Sequence, residues 1–390
     1  MSTQNTLTNL IPIIQTALDK VGQEQIGFIG AVAMDASAEG AAKDETIRVP
    51  IVPAAETSAS WAPAQTAPDT GNITVGYVDI TIDTAVTQPV RWNGEEEKGL
   101  RNAGMYEKIM QDRFAQAFRK MRNEMEAKIA LAAICGASRA TGTAGVTPFG
   151  SSIGAVADIM KILKDNGCTT EDIYLILDSS AVVNLGNLVH LTQVNTSGTD
   201  QLLRDGIISR LLGANIKESS QIVSHTKGAG TGYNVDGTEA AGQTTLTLEG
   251  GTVNTTGLTA GDIITFAGGA NAADANKYVI NTGTVATAGD IVLGNPGLII
   301  AKDTNDELTV GASYRGNVAF QKQAIQFVQR PIAFPSSGDA ARDRTIVTDP
   351  VSGLSFSVSM YGEYGQMHYS IGCCYGVKVI KSEHVAILLG

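Results

Sequence analysis

One stretch of the chain, MYEKIMQDRFAQAFRKMRNEMEAKIALAAIC, runs from Met105 to Cys135 without a proline or a glycine. Its apolar side chains recur at steps of three and four residues, which is the spacing of one helix face. Gly136 follows directly and supplies a stop signal. The stretch therefore predicts one helix of about 30 residues, roughly 45 Å long, a rod that spans a whole subunit. The apolar face consists of Met110, Phe114, Phe118, Met121, Met125, Ile129, Ala132 and Ala133.

The segments before this helix are typical of an arm and a hairpin. Residues 1–20 predict a short amphipathic helix that begins near Pro12 or is broken there, and residues 31–45 predict an extended arm. Residues 46–52 and 73–90 alternate polar with apolar side chains, which indicates two strands.

The residues between these strands, 53–72, carry three prolines, a glycine and Trp61. They predict the loose tip of a long hairpin. One interpretation is a mobile surface loop in which Trp61 packs locally. The other is an arm that lies across a neighbouring copy of the chain.

A mixed α/β region follows the long helix. Residues 153–166 predict a helix, and the apolar run 173–177 predicts a buried strand. Asp178 predicts the N-cap of a helix over 181–189, and residues 200–213 predict another short helical piece.

The composition changes at about His225, and up to about Arg315 the chain is rich in Gly, Thr, Ala, Asn and Asp. The short β-prone runs in this part predict an all-β sandwich or barrel; they lie at 244–248, 262–266, 277–280, 290–293 and 298–300. Mixed structure then returns, so the β module is an insertion. We expect a short helix or turn leading into a strand at 317–331, and strands at 354–360, 368–380 and 384–389.

Composition limits the functional classes. The chain has 390 residues, a net charge of −11 and no basic run, which argues against a protein that grips nucleic acid. Cys135, Cys168, Cys373 and Cys374 lack zinc spacing and predict buried free thiols. We expect no signal peptide at the start and no membrane span, because the apolar runs are too short.

Motifs for catalysis are weak. The four histidines form no metal motif, and we expect no metal, no cofactor and no catalytic residue. Gly150–Gly154 matches GxSxG with Ser152 in the nucleophile position, but the segment before it is too short and Pro-broken for the buried strand that a nucleophile elbow needs. We interpret it as a helix-capping loop. Residues 303–307 are acidic, and we interpret them as a polar turn rather than a calcium loop.

The order of these parts resembles the tailed-phage major capsid proteins of the Hong Kong 97-like fold. The inserted β module is similar to that of the subgroup typified by the coat protein of Salmonella phage P-twenty-two. Three stretches carry this resemblance, namely RDGIISR at 204–210 with Gly213, TGLTAGDIITFAG at 256–268, and YGVKVI at 375–380 followed by EHVAI at 383–387.

The resemblance implies an α+β fold in which an all-β barrel domain is inserted. Its implied parts are the N-terminal arm (1–48), the long hairpin or E-loop (49–97), the spine helix and P-domain (98–142), the A-domain (143–224), the inserted barrel (225–316), and the returning P-domain and A-domain strands (317–390).

The resemblance also implies a function as a structural subunit, without enzymatic activity, in the capsid of a virion. Copies of the chain would form the pentamers and hexamers of an icosahedral shell around double-stranded DNA, assembled in the host bacterial cytoplasm. A scaffolding protein and a portal are the implied partners. The candidate subunit contacts are Trp61 on the hairpin, and Asp236 and Glu239 on a barrel loop.

Two alternatives remain open from the sequence. One is a β-rich binding module of a phage tail or bacterial surface protein, in which the Gly- and Thr-rich region binds carbohydrate. The other is an enzyme that uses Ser152 or an acidic residue.

Overall fold

The structure is a computed structural model that describes residues 7–22, 27–37, 39–51, 63, 74–102, 104–188, 210–252, 256–266, 274–335, 338–350 and 352–390. In this part of the chain the helices are α1 Leu7–Gly22, α2 Gly94–Asn102, α3 Tyr106–Cys135, α4 Gly154–Asp165 and α5 Ser179–Gly186, with 3₁₀ turns at Lys322–Ala324 and Ser382–His384. The strands are β1 Ala33–Ala36, β2 Thr46–Ile51, β3 Gly76–Thr81, β4 Thr84–Asn93, β5 Arg139–Gly142, β6 Ile173–Leu177, β7 Arg210–Leu211, β8 Ala214–Glu218, β9 Ser224–His225, β10 Tyr233–Val235, β11 Thr245–Glu249, β12 Ile263–Phe266, β13 Lys277–Thr282, β14 Gly289–Leu293, β15 Glu307–Val310, β16 Tyr314–Gln321, β17 Ile325–Arg330, β18 Ala341–Thr348, β19 Ser355–Glu363, β20 Gln366–Val379 and β21 Val385–Leu389.

The long helix that the sequence predicts is confirmed as α3. Gly136 ends it, with its N–H bonded to the carbonyl of Ala132 at 2.9 Å. A side chain could not replace this glycine without movement, because a Cβ atom there would lie 2.5 Å from Val379. The apolar face packs on a sheet through aromatic pairs, such as Phe118 with Phe356 at 5.1 Å between ring centroids.

That sheet, the spine sheet, is organised around the long strand β20. Its strand order is β1-β17-β20-β19-β18, and β4 pairs with β20 along ten residue positions. α1 packs against α3 on the same core. The arm, the long helix and the returning strands therefore share one hydrophobic core.

A second sheet, the distal sheet, has the order β5-β21-β16-β6-β8-β7. The predicted buried strand at 173–177 is confirmed as β6, which lies inside this sheet. α4 and α5 cover it with an apolar cluster of their own. The predicted N-cap is also confirmed, because the Asp178 carboxylate accepts a hydrogen bond from the N–H of Ser180 at 3.2 Å.

The inserted β module is a closed antiparallel barrel of six strands in the order β12-β15-β10-β11-β14-β13, and it closes through β12 and β13. Alternation along β11 supplies the apolar interior, because Leu246 and Leu248 are buried and the residues on either side of them are partly exposed. Tyr278 and Lys277 on β13 pair with β5, which attaches the barrel to the distal sheet. The α+β fold with an inserted barrel is therefore confirmed.

β2 and β3 form a separate two-stranded ribbon, in register from Thr46 with Thr81 to Ile51 with Gly76. At its base, Ile80 is buried against the body. Residues 84–93 of the predicted hairpin pair with β20 and not with β2. Trp61 lies outside the described residues, as does most of the tip.

Some predictions about local structure were wrong. α1 begins by Leu7 and continues through Pro12. Pro12 removes one backbone hydrogen bond near the helix start. The burial of Ile14, Ala17 and Leu18 after the proline outweighs this loss, so the helix continues. Residues 298–300 form no strand, although Leu298 is buried in the barrel.

Two further segments differ from the prediction because neighbouring strands override local preference. Residues 210–211 form β7, where a helical piece was predicted, and residues 200–209 lie outside the described part. Residues 317–321 belong to the strand β16, where a helix or turn was predicted, since this strand lies between β6 and β21. The turn lies later, at Lys322–Ala324, and leads into the strand β17, as predicted.

Candidate assembly site

The Ser152 motif lies in a turn and not on a nucleophile elbow. No strand precedes Ser152 between residues 143 and 152, where the chain forms turns and bends. The hydroxyl of Ser152 accepts a hydrogen bond from the N–H of Gly154, the first residue of α4, at 3.3 Å. The arrangement supports the interpretation as a loop at a helix start.

The acidic residues 303–307 form a polar turn, as predicted. The N–H of Asp303 donates to the carboxylate of Asp306, and the N–H of Asp306 donates to the carbonyl of Asp303, both at 3.1 Å. Among the described residues, no group of three or more His, Cys, Asp or Glu side chains is placed to hold a metal ion. Within the same residues no helix is long and apolar enough to cross a membrane.

The ribbon formed by β2 and β3 presents one face to solvent, whereas Ile47, Val49 and Ile80 on the other face pack against the body. Val75 and Tyr77 are 55% and 58% exposed. The guanidinium of Arg48 lies 3.7 Å from the ring centroid of Tyr77 and donates two hydrogen bonds to Asp79, at 2.9 and 3.2 Å. The bond from Arg48 holds the pKa of Asp79 below its usual range. These contacts fix the side chains on the exposed face of the ribbon, where the ring of Tyr77 still faces solvent.

The barrel carries the other two candidate contacts. Asp236 is exposed, and its N–H donates to the carbonyl of Thr247 at 2.9 Å. Glu239 is partly buried and engaged within the barrel, because its carboxylate accepts a hydrogen bond from the N–H of Thr247 at 3.3 Å. Asp236 therefore presents its carboxylate outwards, whereas Glu239 also fixes the loop.

Acidic side chains extend from this loop over the outer face of the barrel. Glu249 and Glu307 flank Asn234 on the two strands that neighbour β10. Asp290 is exposed beside them and accepts a hydrogen bond from the hydroxyl of Thr247 at 2.9 Å. The barrel thus has an acidic outer face that includes Asp236.

The barrel interior holds a buried ion pair. The Nζ atom of Lys302 lies 2.8 Å from the carboxylate of Asp274, and both side chains are fully buried. This contact is an ion pair by distance, although its angles fall outside hydrogen-bond geometry. Tyr278 and Asn276 donate hydrogen bonds to the same carboxylate at 2.8 and 2.7 Å. Burial raises the pKa of Asp274, but Lys302 and these two hydrogen bonds lower it further and hold it below its usual range.

A polar junction fixes the barrel where its chain leaves and rejoins the body. His225 on β9 and Tyr314 on β16 are paired across this point. The Nε2 atom of His225 lies 2.8 Å from the buried carboxylate of Asp262. The hydroxyl of Tyr314 donates to the carbonyl of Gly261 at 2.7 Å.

Asp262 is the centre of that junction. Its carboxylate accepts hydrogen bonds from the N–H groups of Thr259 and Gly228 at 2.7 and 3.0 Å. Burial favours the protonated carboxyl, but the bonds from His225, Thr259 and Gly228 outweigh burial and hold the pKa of Asp262 below its usual range. The junction is therefore held by an ionised carboxylate.

Two charged residues of α3 are buried although they do not belong to its predicted apolar face. Arg122 and Glu126 are 7% and 4% exposed. The physical reason is that α3 is covered both by the spine sheet and by the arm residues near Phe28. Their spacing of four residues was the available signal, because it places both side chains on one stripe of the helix.

No protein-family profile and no curated protein matches the sequence. Similar solved structures include a chain from Mycobacterium phage Che8, with a TM-score of 0.45 and 14% identity over 89% of this chain and 85% of that one. The capsid of cyanophage P-SCSP1u has a TM-score of 0.47 and 11% identity, over 94% and 88%. The virus-like particle from Pyrococcus furiosus has a TM-score of 0.42 and 9% identity, over 97% and 99%. These scores and identities are low, and we base the proposed function on the geometry of the chain itself.

Proposed function

We propose that the chain is the major capsid protein of a tailed bacteriophage and has the Hong Kong 97-like fold. The support comes from the combination of an arm, a ribbon, a spine helix of 30 residues, two sheets and an inserted barrel within one subunit. A shell subunit needs structural elements that reach its neighbours, and the ribbon is such an element.

The observation that carries the proposal is the exposure of the ribbon. A two-stranded hairpin is marginally stable by itself in water, and two large apolar side chains on one face of its outer end remain exposed here. Val75 and Tyr77 lie at the end of the ribbon away from the body. A neighbouring copy of the chain would cover them, as the E-loop interpretation requires.

The position of the barrel supports assignment to the subgroup of the P-twenty-two coat protein. The barrel lies between β9 and β16, as an insertion between strands of the body. In this assignment residues 49–97 are the E-loop, 98–142 the spine helix with the P-domain, 143–224 the A-domain, and 225–316 the inserted domain. Trp61, Asp236 and Glu239 are the candidate contacts with neighbouring subunits.

The partners follow from this assignment. The chain would assemble with itself into the pentamers and hexamers of an icosahedral shell, guided by a scaffolding protein and closed around a portal. The shell would enclose double-stranded DNA without sequence-specific binding, a role that suits the net charge of −11. Assembly would take place in the host bacterial cytoplasm, and the protein would end in the virion.

Electron microscopy tests the proposal on the protein expressed alone and together with the neighbouring phage genes. We expect closed shells, or the tubes and capsomer rings of incomplete assembly. Discrete monomers or trimers in both samples would contradict the proposal and favour a carbohydrate-binding module, which a glycan array would then test.

A further inference from the structure

The arm residues Phe28–Gly30 are held by charged side chains rather than by a partner strand. The carboxylate of Glu126 on α3 accepts hydrogen bonds from the N–H groups of Phe28 and Ile29, at 3.0 and 2.8 Å. The ammonium of Lys217 on β8 donates to the carbonyl of Gly30 at 2.9 Å. The arm backbone is therefore bound from two directions, by the spine helix and by the distal sheet.

The same carboxylate also reaches the distal sheet directly. The hydroxyl of Ser219, the residue after β8, donates to Glu126 at 3.0 Å. The N–H of Ser219 in turn donates to the carbonyl of Leu177 at the end of β6, at 3.0 Å. One buried carboxylate thus connects three parts of the subunit, which are the arm, the spine helix and the distal sheet.

Apolar packing completes the closed state. Phe28 is fully buried and lies parallel to the ring of Phe320 on β16, with 6.1 Å between the ring centroids. Gly27 is required at this approach, because a Cβ atom there would lie 2.6 Å from the Cβ of Ser219. The arm fills the space between the spine helix and the distal sheet without room for a further methyl group.

A polar cavity of about 300 Å³ lies beside this contact, and residues of α3 and of the turn after β8 line it. Arg119, Arg122 and Glu218 are the other charged groups around it, and Arg122 donates to the carbonyl of Val21 in α1. Water in such a cavity could take over the hydrogen bonds of Glu126 when the arm moves away. Release of the arm would then expose the apolar side chains of Phe28 and Ile29 to water. The polar groups of the contact would keep a hydrogen-bond partner, because water would replace the arm.

We propose that Phe28–Gly30 and Glu126 form a releasable latch, which sets the position of the distal sheet on the spine helix. When the arm is bound, Glu126 and Ser219 hold the sheet against α3. When the arm is released, Glu126 keeps only the bond from Ser219. The distal sheet, with the barrel attached to it, is then held on α3 by fewer contacts, namely this bond and the apolar residues of β6, β16 and β21 in the shared core. This inference rests on the proposed function, since a shell of identical chains would use such a latch to adopt different subunit shapes in pentamers and hexamers.

Hydrogen exchange on the unassembled protein tests the latch. In Glu126→Gln one of the two arm N–H groups loses its acceptor, and in Gly27→Ala the added methyl group forces the arm away from Ser219. We expect the amides of Phe28, Ile29 and Ser219 to exchange about tenfold faster or more in both variants. In the control Glu124→Gln, which changes a partly exposed carboxylate paired with Lys120, these rates should equal those of the unmodified protein.

Two outcomes would overturn the proposal. The first is unchanged exchange at Phe28 and Ile29 in both variants. The second is faster exchange of these amides without any change at Ser219, which would mean that the arm and the distal sheet are independent. Amides in the middle of α3, near Phe118, report global unfolding and should exchange far more slowly than those of Phe28, Ile29 and Ser219 in every variant. Because the experiment needs no assembled particles, its result is separate from the test of the capsid function.

Discussion

The barrel and the ribbon are both antiparallel β structure, but they treat their edges in opposite ways. The barrel closes on itself through β12 and β13 and buries an apolar core of its own. The ribbon has two strands, two open edges and exposed apolar side chains at its outer end. A closed sheet has no free edge and buries its own apolar side chains. An open ribbon leaves its edges and its apolar side chains available to another chain. Stability should therefore reside in the barrel, and assembly in the ribbon.

The largest effect is expected from the buried ion pair of the barrel. Lys302→Ala leaves the Asp274 carboxylate buried without its cation, which costs roughly 3–5 kcal/mol of unfolding free energy. Denaturant unfolding measures this change, with the exposed Lys227→Ala as the matched control in the same domain. A loss of unfolding free energy below about 1 kcal/mol, which is typical of a surface ion pair, would mean that the barrel interior tolerates an unpaired buried carboxylate.

Overpacking the barrel should have the next largest effect. A Cβ atom at Gly251 would lie 2.1 Å from the ring of Tyr233, which is fully buried. Gly251→Ala should therefore destabilise the protein by about 1–3 kcal/mol in thermal unfolding. Gly186→Ala is the control, because no atom lies within 4 Å of its Cβ position. Equal melting temperatures for the two variants would contradict a closely packed barrel.

The junction between barrel and body should respond to acid. The pKa of Asp262 is lowered in the folded protein, so its contribution to stability is complete above the unfolded pKa of about 4 and is lost as pH falls through the folded value. Asp262→Asn should lower the unfolding free energy at pH 7. Between about pH 5 and pH 2 the unfolding free energy of this variant should decrease less than that of the unmodified protein. Parallel curves for the two proteins would show that the carboxylate does not hold the junction.

The smallest effect on stability is expected in the ribbon. Tyr77→Ala removes a side chain that is 58% exposed and should change the unfolding free energy by about 0.5 kcal/mol or less. The same substitution should reduce the yield of closed shells, which sedimentation and electron microscopy measure. Val285→Ala, on a residue of the barrel that is 73% exposed, is the matched control and should leave both quantities unchanged. Normal shells from Tyr77→Ala would remove the assembly role of this face.

Local sequence patterns predict a large part of the fold. Helical periodicity was enough for α3, and short apolar or β-prone runs were enough for β6 and for most strands of the barrel, because these segments are buried along most of their length. β18 was missed because Arg342 and Arg344 interrupt its apolar pattern, as charged residues often do on an edge strand. β5 was missed because its four residues become a strand only between β21 and β13.

The candidate contacts were less predictable than the fold. Asp236 and Glu239 differ in burial because Glu239 turns back to the N–H of Thr247, a contact that depends on the register of β10 and β11. The burial of Glu126 could not be predicted, because nothing in the local sequence indicates that arm residues almost a hundred positions earlier cover it. Both differences come from tertiary contacts, which local patterns do not contain.

A cryo-electron microscopy reconstruction of assembled particles would show directly what covers the ribbon. We expect an icosahedral shell in which the ribbon of each subunit lies on a neighbouring copy, and Val75 and Tyr77 are buried in that contact. A shell in which the ribbon folds back on its own subunit, or particles in which the protein is not a shell component, would contradict this expectation.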